Sequence, residues 1–482
     1  MSFDHNLTIF QINDTHAYLD LHTELFWKGS KPDYRNVGGF GRIKSIFNQA
    51  FHDQPDQVLA LDCGDTLHGT YTAVKSKGES LIPILNEMSF DAMTAHWEFA
   101  YGPKQLLRIN KKLDYPLLAI NCYYKNNDQL VFQPYQIMEK NNLRLGIIGI
   151  ASTIIDKVMP THFSEGVYFT LGIEELKFYI EKLRNQEKVD LIIVISHLGF
   201  PQEVKIALET EGIDILLSAH THNRLYKPIM VNKTIIIQSG CHGSFVGRLD
   251  LDITDGKIKN FNHDLIIVEE DIEPDESIEK LIDKIQKPYH QYLNKNVGYT
   301  EIGLNRNTVL ESTMDNFLLK SLLNIEDAQL AFSNGWRYGA PVAPGNITMN
   351  DLWNITPVNP SLSTVELEGW EIWQMMEENL ERTFSTDPYK QMGGYVKRCM
   401  GLNLYFKIEN HNGLRIQEIF VQGKRLKSKE KYKAVFLTSQ GVPEKYGVNR
   451  IETDTNAIEA LIQYLDDYQT VRSDLEGTIT AV

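Results

Sequence analysis

The feature that most constrains this fold is a series of short apolar runs, each of which ends in polar residues. The runs read LTIFQIND, QVLALDCGD, FDAMTAHWE, YPLLAIN, RLGIIGIAS, DLIIVISH, IDILLSAHTH and TIIIQSG. Apolar runs of this length, bounded by turn-forming residues, are typical of buried strands. The intervening segment EELKFYIEKLRNQEK has helical periodicity, so the sequence predicts an α/β fold for the first half of the chain.

The polar residues that end these runs include many Asp and His side chains. Loops that follow the strands of an α/β sheet gather at one edge, where ligands bind. A single histidine in such a loop is usually a satisfied surface or core residue, but the same pattern in five loops indicates a shared site. The residues that fall there are Asp14, His16, Asp62, Asp65, His96, His197, His220 and His222.

Two of the loops carry paired ligands at a spacing that suits a metal ion. Asp14 and His16 are two residues apart, as are His220 and His222, so each pair points to one face of an extended segment. Carboxylate and imidazole groups suit a borderline divalent ion. A glycine before Asp65 lets that loop approach closely, so its carboxylate is placed to bridge two ions.

The ordered motifs DTH, GD, AHWE, SHLG and AHTH resemble those of calcineurin-like metallophosphoesterases, and specifically of the 5'-nucleotidase family. NVGGFGR, GSFVGRLDLDI and SNGWR are similar to further segments of that family. The resemblance implies a four-layer α/β/β/α catalytic domain over residues 1–268 and a smaller α+β substrate-binding domain over 298–482. The charged stretch between them, 269–297, is predicted to be a helical connector in which Pro288 kinks or ends the helix.

The resemblance also implies a binuclear metal centre and a reaction. The ligands implied for one ion are Asp14, His16, Asp65 and His222, and those for the second are Asp65, His96, His197 and His220. Mn²⁺ is the expected metal, with Zn²⁺ or Fe as alternatives. A metal-bridging hydroxide would attack a phosphate monoester of a nucleotide or another small phosphorylated metabolite. Asn121 in LLAIN is similar to a family residue near the phosphate.

The loop TAHWEFAYG departs from the G-N-H-E-F-D motif of the family. His96 stands in the place of a metal-binding Asn, Trp97 in the place of the catalytic His, and Ala100 in the place of the Asp that orients it. An indole has no titratable proton near neutral pH, so the site lacks an acid whose role is typically worth ~10²–10⁴-fold in rate. We expect Asp65, His96 and Trp97 to surround the reacting atoms.

Two alternatives follow from this loop. Its H-W-E-F sequence resembles the branch represented by the sulfate thiol hydrolase of the Sox pathway, where a thiolate leaving group needs little protonation. The chain would then hydrolyse S-sulfonate or thiosulfate esters. The second alternative is a metal-bound binding protein with reduced catalysis. His68 and His242 are candidate substitute proton donors, although each alone is more often a polar loop residue.

Substrate recognition is predicted for the second half of the chain. Arg337 in NGWR is the best candidate for binding an anion, because a planar guanidinium can donate two parallel hydrogen bonds to a carboxylate or phosphate. Arg398 in GGYVKRC is a weaker candidate. Tyr446 could stack on a ring. Val358 replaces the first of two aromatic residues that hold the base in nucleotidases, which points to an anionic small molecule of another kind.

Composition limits the partners. A formal charge of -15 argues against general binding to nucleic acid or anionic membrane, since both need basic surface. No apolar run approaches the ~20 residues of a membrane span, and the start MSFDHNLTIFQIND does not read as a signal peptide. The four scattered cysteines suit a reducing compartment. We therefore expect a cytoplasmic protein with a small anionic substrate.

Overall fold

The structure is a computed structural model and describes residues 4–482. The strands of the first part of the chain are β1 Asp4–Ile12, β2 His22–Lys28, β3 Lys31–Val37, β4 Val58–Asp62, β5 Ala92–Met93, β6 Cys122–Tyr124, β7 Tyr135–Lys140, β8 Leu143–Ile150, β9 Val167–Phe169, β10 Leu191–Ser196, β11 Ile215–Leu217, β12 Ile229–Val231, β13 Thr234–Ile237, β14 Phe245–Thr254 and β15 Lys257–Ile267. Those of the later part are β16 Asn296–Thr300, β17 Leu330–Ser333, β18 Gly345–Thr348, β19 Ser361–Glu368, β20 Arg398–Met400, β21 Leu402–Phe406, β22 Ile416–Val421, β23 Lys424–Arg425, β24 Lys431–Leu437, β25 Val448–Asn456, β26 Thr470–Val471 and β27 Ile479–Ala481.

The α-helices alternate with these strands. They are α1 Phe40–Asp53, α2 Tyr71–Ser76, α3 Ile82–Glu87, α4 Pro103–Asn110, α5 Ile155–Val158, α6 Ile173–Asn185, α7 Phe200–Glu209, α8 Glu276–Gln286, α9 His290–Leu293, α10 Thr313–Ile325, α11 Met349–Ile355, α12 Gly369–Phe384, α13 Thr438–Gly441 and α14 Ala457–Tyr468. Within residues 4–482, no helix combines the length and the apolar character that crossing a bilayer requires.

The chain divides into two compact units at Pro288. The first unit runs to His22 and then from Asn36 to Pro288, and the second contains Thr23–Arg35 and Tyr289–Val482. Helix α8 ends shortly before Pro288, as that proline predicts. The β2–β3 hairpin groups with the second unit, where Asn305 Nδ2 donates to the Tyr34 hydroxyl at 3.4 Å. The sequence did not indicate this assignment, and the predicted boundaries at 268 and 298 stay predictions.

The first unit contains two stacked sheets. One has the strand order β15-β14-β1-β4-β5 and the other β12-β13-β11-β10-β8-β7. Their facing side chains form one core to which β1, β4 and β14 contribute from the first sheet and β8, β10, β11 and β13 from the second. Helices α1 and α6 contact β4 and β8 respectively. This arrangement confirms the predicted α/β class and its four-layer form.

Two of the predicted strands are largely wrong. FDAMTAHWE forms only the two-residue strand β5, and YPLLAIN forms isolated bridges, Met93 to Leu117 and Leu118 to Gln133. The backbone groups of YPLLAIN are divided among different partners: Ala119 N donates to Gln133 O and Ile120 N donates to Gly149 O. The apolar run correctly predicts that this segment is buried, but it does not predict whether the backbone forms continuous hydrogen bonds with a single neighbouring strand.

The second unit is α+β, as predicted. A five-stranded sheet, β20-β17-β24-β19-β25, and a four-stranded sheet, β23-β22-β21-β27, share a core with α12. Helix α10 begins at Thr313, where the Ser312 hydroxyl caps it by accepting from Asp315 N at 3.1 Å.

Candidate metal centre

The predicted ligands follow the carboxyl ends of parallel strands in both sheets of the first unit. Strands β1 and β4 are parallel neighbours, and so are β10 and β11. The loops after these four strands therefore open at one edge of the unit. The seven predicted ligands lie together there: Asp14, His16, Asp65, His96, His197, His220 and His222.

A first set of ligand atoms comes from Asp14, His16 and His222. His222 Nε2 is 3.2 Å from Asp14 Oδ1, and His16 Nε2 is 3.3 Å from His222 Nε2. The three ligand atoms lie within 4.8 Å of one another. Two imidazole nitrogens and a carboxylate oxygen at this separation fit the coordination sphere of one borderline divalent ion.

A second set comes from Asp65, His96, His197 and His220, whose ligand atoms also lie within 4.8 Å of one another. Asp65 Oδ2 is 3.2 Å from His197 Nε2, and Asp65 Oδ1 is 3.2 Å from His96 Nδ1. Asp65 Oδ2 also lies 3.8 Å from His16 Nε2 of the first set. Asp65 therefore stands between the two sets, which is the position predicted for a bridging carboxylate.

The backbone at these positions is held in an unusual conformation. Asp14, His16, Asp65, His220 and His222 all have positive φ, between 49° and 69°. This region costs a non-glycine residue on the order of 1 kcal/mol or more, and such residues concentrate at functional sites. Five strained residues in one cluster indicate that the surrounding structure holds these side chains for a purpose other than packing.

Two of the histidines are fixed in the tautomer that a metal ligand needs. His197 Nδ1–H donates to the carbonyl oxygen of Cys63 at 2.6 Å, and His16 Nδ1–H donates to that of His68 at 3.1 Å. Each Nε2 is then the ring nitrogen directed at the carboxylates. Burial lowers the pKa of His197, but Asp65 and Asp14 outweigh it and raise that pKa to about 10, so a cation would take the place of a proton on its Nε2. Among residues 4–482, the buried Nε2 of His96 has no hydrogen-bond partner, and that of His197 lies 3.2 Å from Asp65 Oδ2 and 3.6 Å from Asp14 Oδ1. Buried polar atoms are almost always satisfied, so these nitrogens fit a bound cation.

The ionisation states of Asp14 and Asp65 make the space between their carboxylates favourable for a cation. Burial would raise the pKa of Asp14, but His222 and His197 outweigh it and lower that pKa. Burial is likewise outweighed at Asp65, where His197 and His96 hold the pKa well below its usual value. Conversely, burial lowers the pKa of His16 to about 3. The carboxylates are therefore ionised, and the His16 imidazole is neutral, across the physiological range.

Trp97 lies at the edge of the second set. Its backbone N–H donates to Asp65 Oδ1 at 2.7 Å, and its side chain is 7% exposed. The indole stacks on His68 at a centroid distance of 4.7 Å and meets Phe163 edge-on at 5.5 Å. The structure thus brings Asp65, His96 and Trp97 together, as the sequence predicts. Burial lowers the pKa of His68 to about 4, so this imidazole is neutral at pH 7 and unsuited to act as an acid.

The predicted substrate residues lie in environments of different kinds. Asn121 in the first unit is fully buried, and its amide accepts from Ala151 N and donates to Ala151 O, both at 2.9 Å.

In the second unit, Arg398 is 2% exposed and its Nε is 3.0 Å from Asp315 Oδ2. The guanidinium of Arg337 lies 5.2 Å above the Tyr395 ring. Tyr446 packs in the core of that unit. Arg337 is the least enclosed of the four, and a substrate role for any of them stays a prediction.

Sequence reasoning missed three buried residues that support the cluster: Asn13, Glu98 and Glu203. Asn13 Nδ2 donates to Asp14 Oδ2 and to Gly240 O, both at 2.8 Å. Asn13 could have been suspected from its place beside Asp14 at a strand end. Glu98 could have been suspected from its place in the AHWE motif, whereas Glu203 carries no comparable signal, because a buried glutamate and a solvated one look alike in sequence.

Two family models match the sequence in series. The calcineurin-like phosphoesterase model matches residues 7–224, and the 5'-nucleotidase C-terminal domain model matches residues 293–438. Among known proteins, the trifunctional nucleotide phosphoesterase YfkN of Bacillus subtilis is 23% identical over 465 residues, which cover 86% of this chain. The match covers 30% of YfkN, so the chain spans about a third of that relative's length.

Two solved structures are similar over almost the whole chain. The sulfate thiohydrolase SoxB of Thermus thermophilus has a TM-score of 0.91 at 23% identity, with 99% of this chain and 96% of that one covered. A 5'-nucleotidase precursor, also from Thermus thermophilus, has a TM-score of 0.87 at 21% identity, with 99% of both chains covered. At these identities the likeness establishes the fold.

Proposed function

We propose that this chain, which matches a calcineurin-like phosphoesterase model and then a 5'-nucleotidase C-terminal domain model, is a phosphoric ester hydrolase that holds two divalent metal ions and cleaves a small phosphorylated metabolite. The observation that carries the proposal is the convergence of two ligand sets that meet at Asp65. Mixed carboxylate and imidazole ligands favour Mn²⁺, with Zn²⁺ or Fe as the alternatives.

In this proposal seven side chains bind the two ions, and the loop that carries Trp97 lies beside the ester. Asp14, His16 and His222 would hold one ion, and His96, His197 and His220 the other, with Asp65 shared. When bound, such ions lower the pKa of a coordinated water and neutralise charge on the ester oxygens. Because the Trp97 amide donates to Asp65 Oδ1, the loop that follows His96 is tied to the shared carboxylate. Position 97 therefore lies beside the reacting atoms.

Trp97 limits the esters that can react quickly. The indole cannot protonate a departing oxygen near neutral pH, and the neighbouring His68 is neutral. We infer that the preferred leaving group is stable as an anion. Phenolate, phosphate and carboxylate anions meet this condition as leaving groups, whereas the alkoxide that a nucleoside monophosphate would release does not.

A second candidate function follows from the same observation. A thiolate leaves readily without protonation, so a metal centre flanked by Trp97 also suits hydrolysis of an S-sulfonate. SoxB, whose fold this chain shares, is named a sulfate thiohydrolase. The phosphoric ester remains the leading proposal because both matched family models belong to phosphate-ester hydrolases.

One set of assays tests these proposals. Protein loaded with Mn²⁺ is incubated with an aryl phosphate, a panel of nucleotides and an S-sulfonated thiol, and the released phosphate or sulfate is measured. Asp65→Asn is the control, because it removes the negative charge of the shared ligand. We expect metal-dependent release from the aryl phosphate and little from nucleoside monophosphates. Turnover of the S-sulfonate alone would replace the leading proposal with the second one, and bound metal with no turnover would indicate a binding protein.

A further inference from the structure

Two fully buried glutamates lie behind the second ligand set. Glu98 follows His96 on the loop after β5, and Glu203 lies near the start of α7; the solvent-exposed fraction of each is 0%. A buried carboxylate is costly unless its oxygens accept hydrogen bonds, so each must find several donors. Those donors come from the loops that carry the predicted ligands.

Glu98 joins the Asp65 loop to the His96 loop. Its Oε1 accepts from the backbone N–H of Thr66 at 2.6 Å and of Leu67 at 3.3 Å. Its Oε2 accepts from the backbone N–H of Asp65 at 3.2 Å and of His96 at 2.7 Å. One carboxylate thus fixes the backbone at two predicted ligands that are 31 residues apart in sequence.

Glu203 joins the His197 loop to the His220 loop in the same way. Its Oε1 accepts from Leu198 N at 3.1 Å and from Gly199 N at 3.3 Å, directly after His197. Its Oε2 accepts from the hydroxyl of Ser218, two residues before His220. Gln238 reinforces this side, because its Nε2 donates to Ser218 Oγ at 2.6 Å.

We propose that Glu98 and Glu203 are positioning residues that together fix the four loops carrying Asp65, His96, His197 and His220, and so preset the second metal site. The inference rests on the proposed function. Neither glutamate is a predicted ligand; Glu98 acts through backbone N–H groups, and Glu203 acts through backbone N–H groups and the Ser218 hydroxyl. Of the first ion's predicted ligands these hydrogen bonds reach only the shared Asp65, since none of them reaches Asp14, His16 or His222 within residues 4–482.

Glutamine substitutions test this role with little change in side-chain volume. A glutamine at position 98 has one acceptor oxygen, and its NH₂ group must face two backbone N–H donors. Glu98→Gln and Glu203→Gln are dialysed against a series of free Mn²⁺ concentrations, and bound metal per chain is measured by mass spectrometry. We expect the affinity for the second ion to fall about 10–100-fold, with a smaller loss for the first ion, which has only Asp65 in common with the clamped loops.

The matched control is Glu377→Gln in the second unit. Glu377 is also buried and accepts a backbone hydrogen bond, from Ile416 N at 2.7 Å, but it lies in a different unit from the ligands. It should lose stability, measured by thermal unfolding of the metal-free protein, and still bind two ions at wild-type affinity. If either glutamine variant fails to fold, Ser218→Ala removes one link to Glu203 and should weaken the second ion in the same direction.

The outcomes separate this inference from the proposal beneath it. A wild-type protein that binds no Mn²⁺ would refute both. A wild-type protein that binds two ions, together with glutamine variants that bind both with unchanged affinity, would refute only the positioning role. Equal loss of both ions in the glutamine variants would also refute it, because that result indicates a general loosening of the unit.

Discussion

Trp97 is the residue where this site departs furthest from the 5'-nucleotidase motif that the sequence resembles. Its indole occupies the place of a catalytic histidine, and Ala100, one turn along the same short helix Trp97–Tyr101, replaces the partner aspartate. Stacking on His68 and contact with Phe163 hold the indole in one orientation. The site therefore keeps its predicted ligands and lacks a titratable donor at this position.

Restoring the pair should change the dependence on the leaving group. In Trp97→His with Ala100→Asp, a histidine oriented by an aspartate can protonate a poor leaving group. We predict that kcat/KM for an alkyl phosphate rises by ~10²-fold or more, with a much smaller change for an aryl phosphate whose phenolate leaves unaided. Steady-state kinetics on both esters measures this ratio. Trp97→Phe is the control, and an unchanged ratio in the double variant would place position 97 outside the reacting region.

At the scale of elements, strand ends were the most informative part of the sequence. The convergence of the polar residues after β1, β4, β10 and β11 could be predicted because parallel strands bring their carboxyl ends to one edge. YPLLAIN could not be read correctly, because its backbone hydrogen bonds go to several partners. The supporting role of Glu98 depends on four donors from two loops, and no local spacing encodes that arrangement.

A buried lysine beside β20 should make the stability of the second unit depend on pH. Lys397 is 4% exposed, and its Nζ donates to Gln440 O. Burial, with a contribution from Arg382, lowers the pKa of Lys397 to about 7. Between pH 7 and the ordinary lysine value the unfolded chain therefore holds a proton that the folded chain does not, so the free energy of unfolding rises with pH.

Comparison with Lys397→Met isolates this effect. From pH 7 to pH 9 the wild-type free energy of unfolding should increase by about 2 kcal/mol relative to the methionine variant. Urea unfolding of the second unit at both pH values provides the measurement. A difference between wild type and variant that does not change with pH would show that Lys397 keeps an ordinary pKa in the folded protein.

At the scale of the whole molecule, the sequence correctly indicated two classes of structure in series, α/β and then α+β. It did not indicate that the β2–β3 hairpin groups with the second unit, because unit membership depends on tertiary contacts that local patterns do not carry. All four cysteines are buried, and none of them forms a disulfide. A cytoplasmic location stays a prediction from sequence.

Metal binding should stabilise the two units unequally. Every predicted ligand lies in the first unit, and each unit has a hydrophobic core of its own. Free Mn²⁺ at about 100 times its dissociation constant stabilises a single site by about 2.7 kcal/mol. We therefore predict that Mn²⁺ raises the unfolding temperature of the first unit and leaves that of the second unchanged. Calorimetry with and without a chelator measures both, and an equal shift of both units would contradict the account.

The central claim is that two cations share Asp65, and anomalous X-ray scattering from crystals of the Mn²⁺-loaded protein tests it most directly. The account predicts two manganese peaks, one among Asp14, His16, Asp65 and His222 and the other among Asp65, His96, His197 and His220. A single peak, or peaks only at the protein surface, would contradict it.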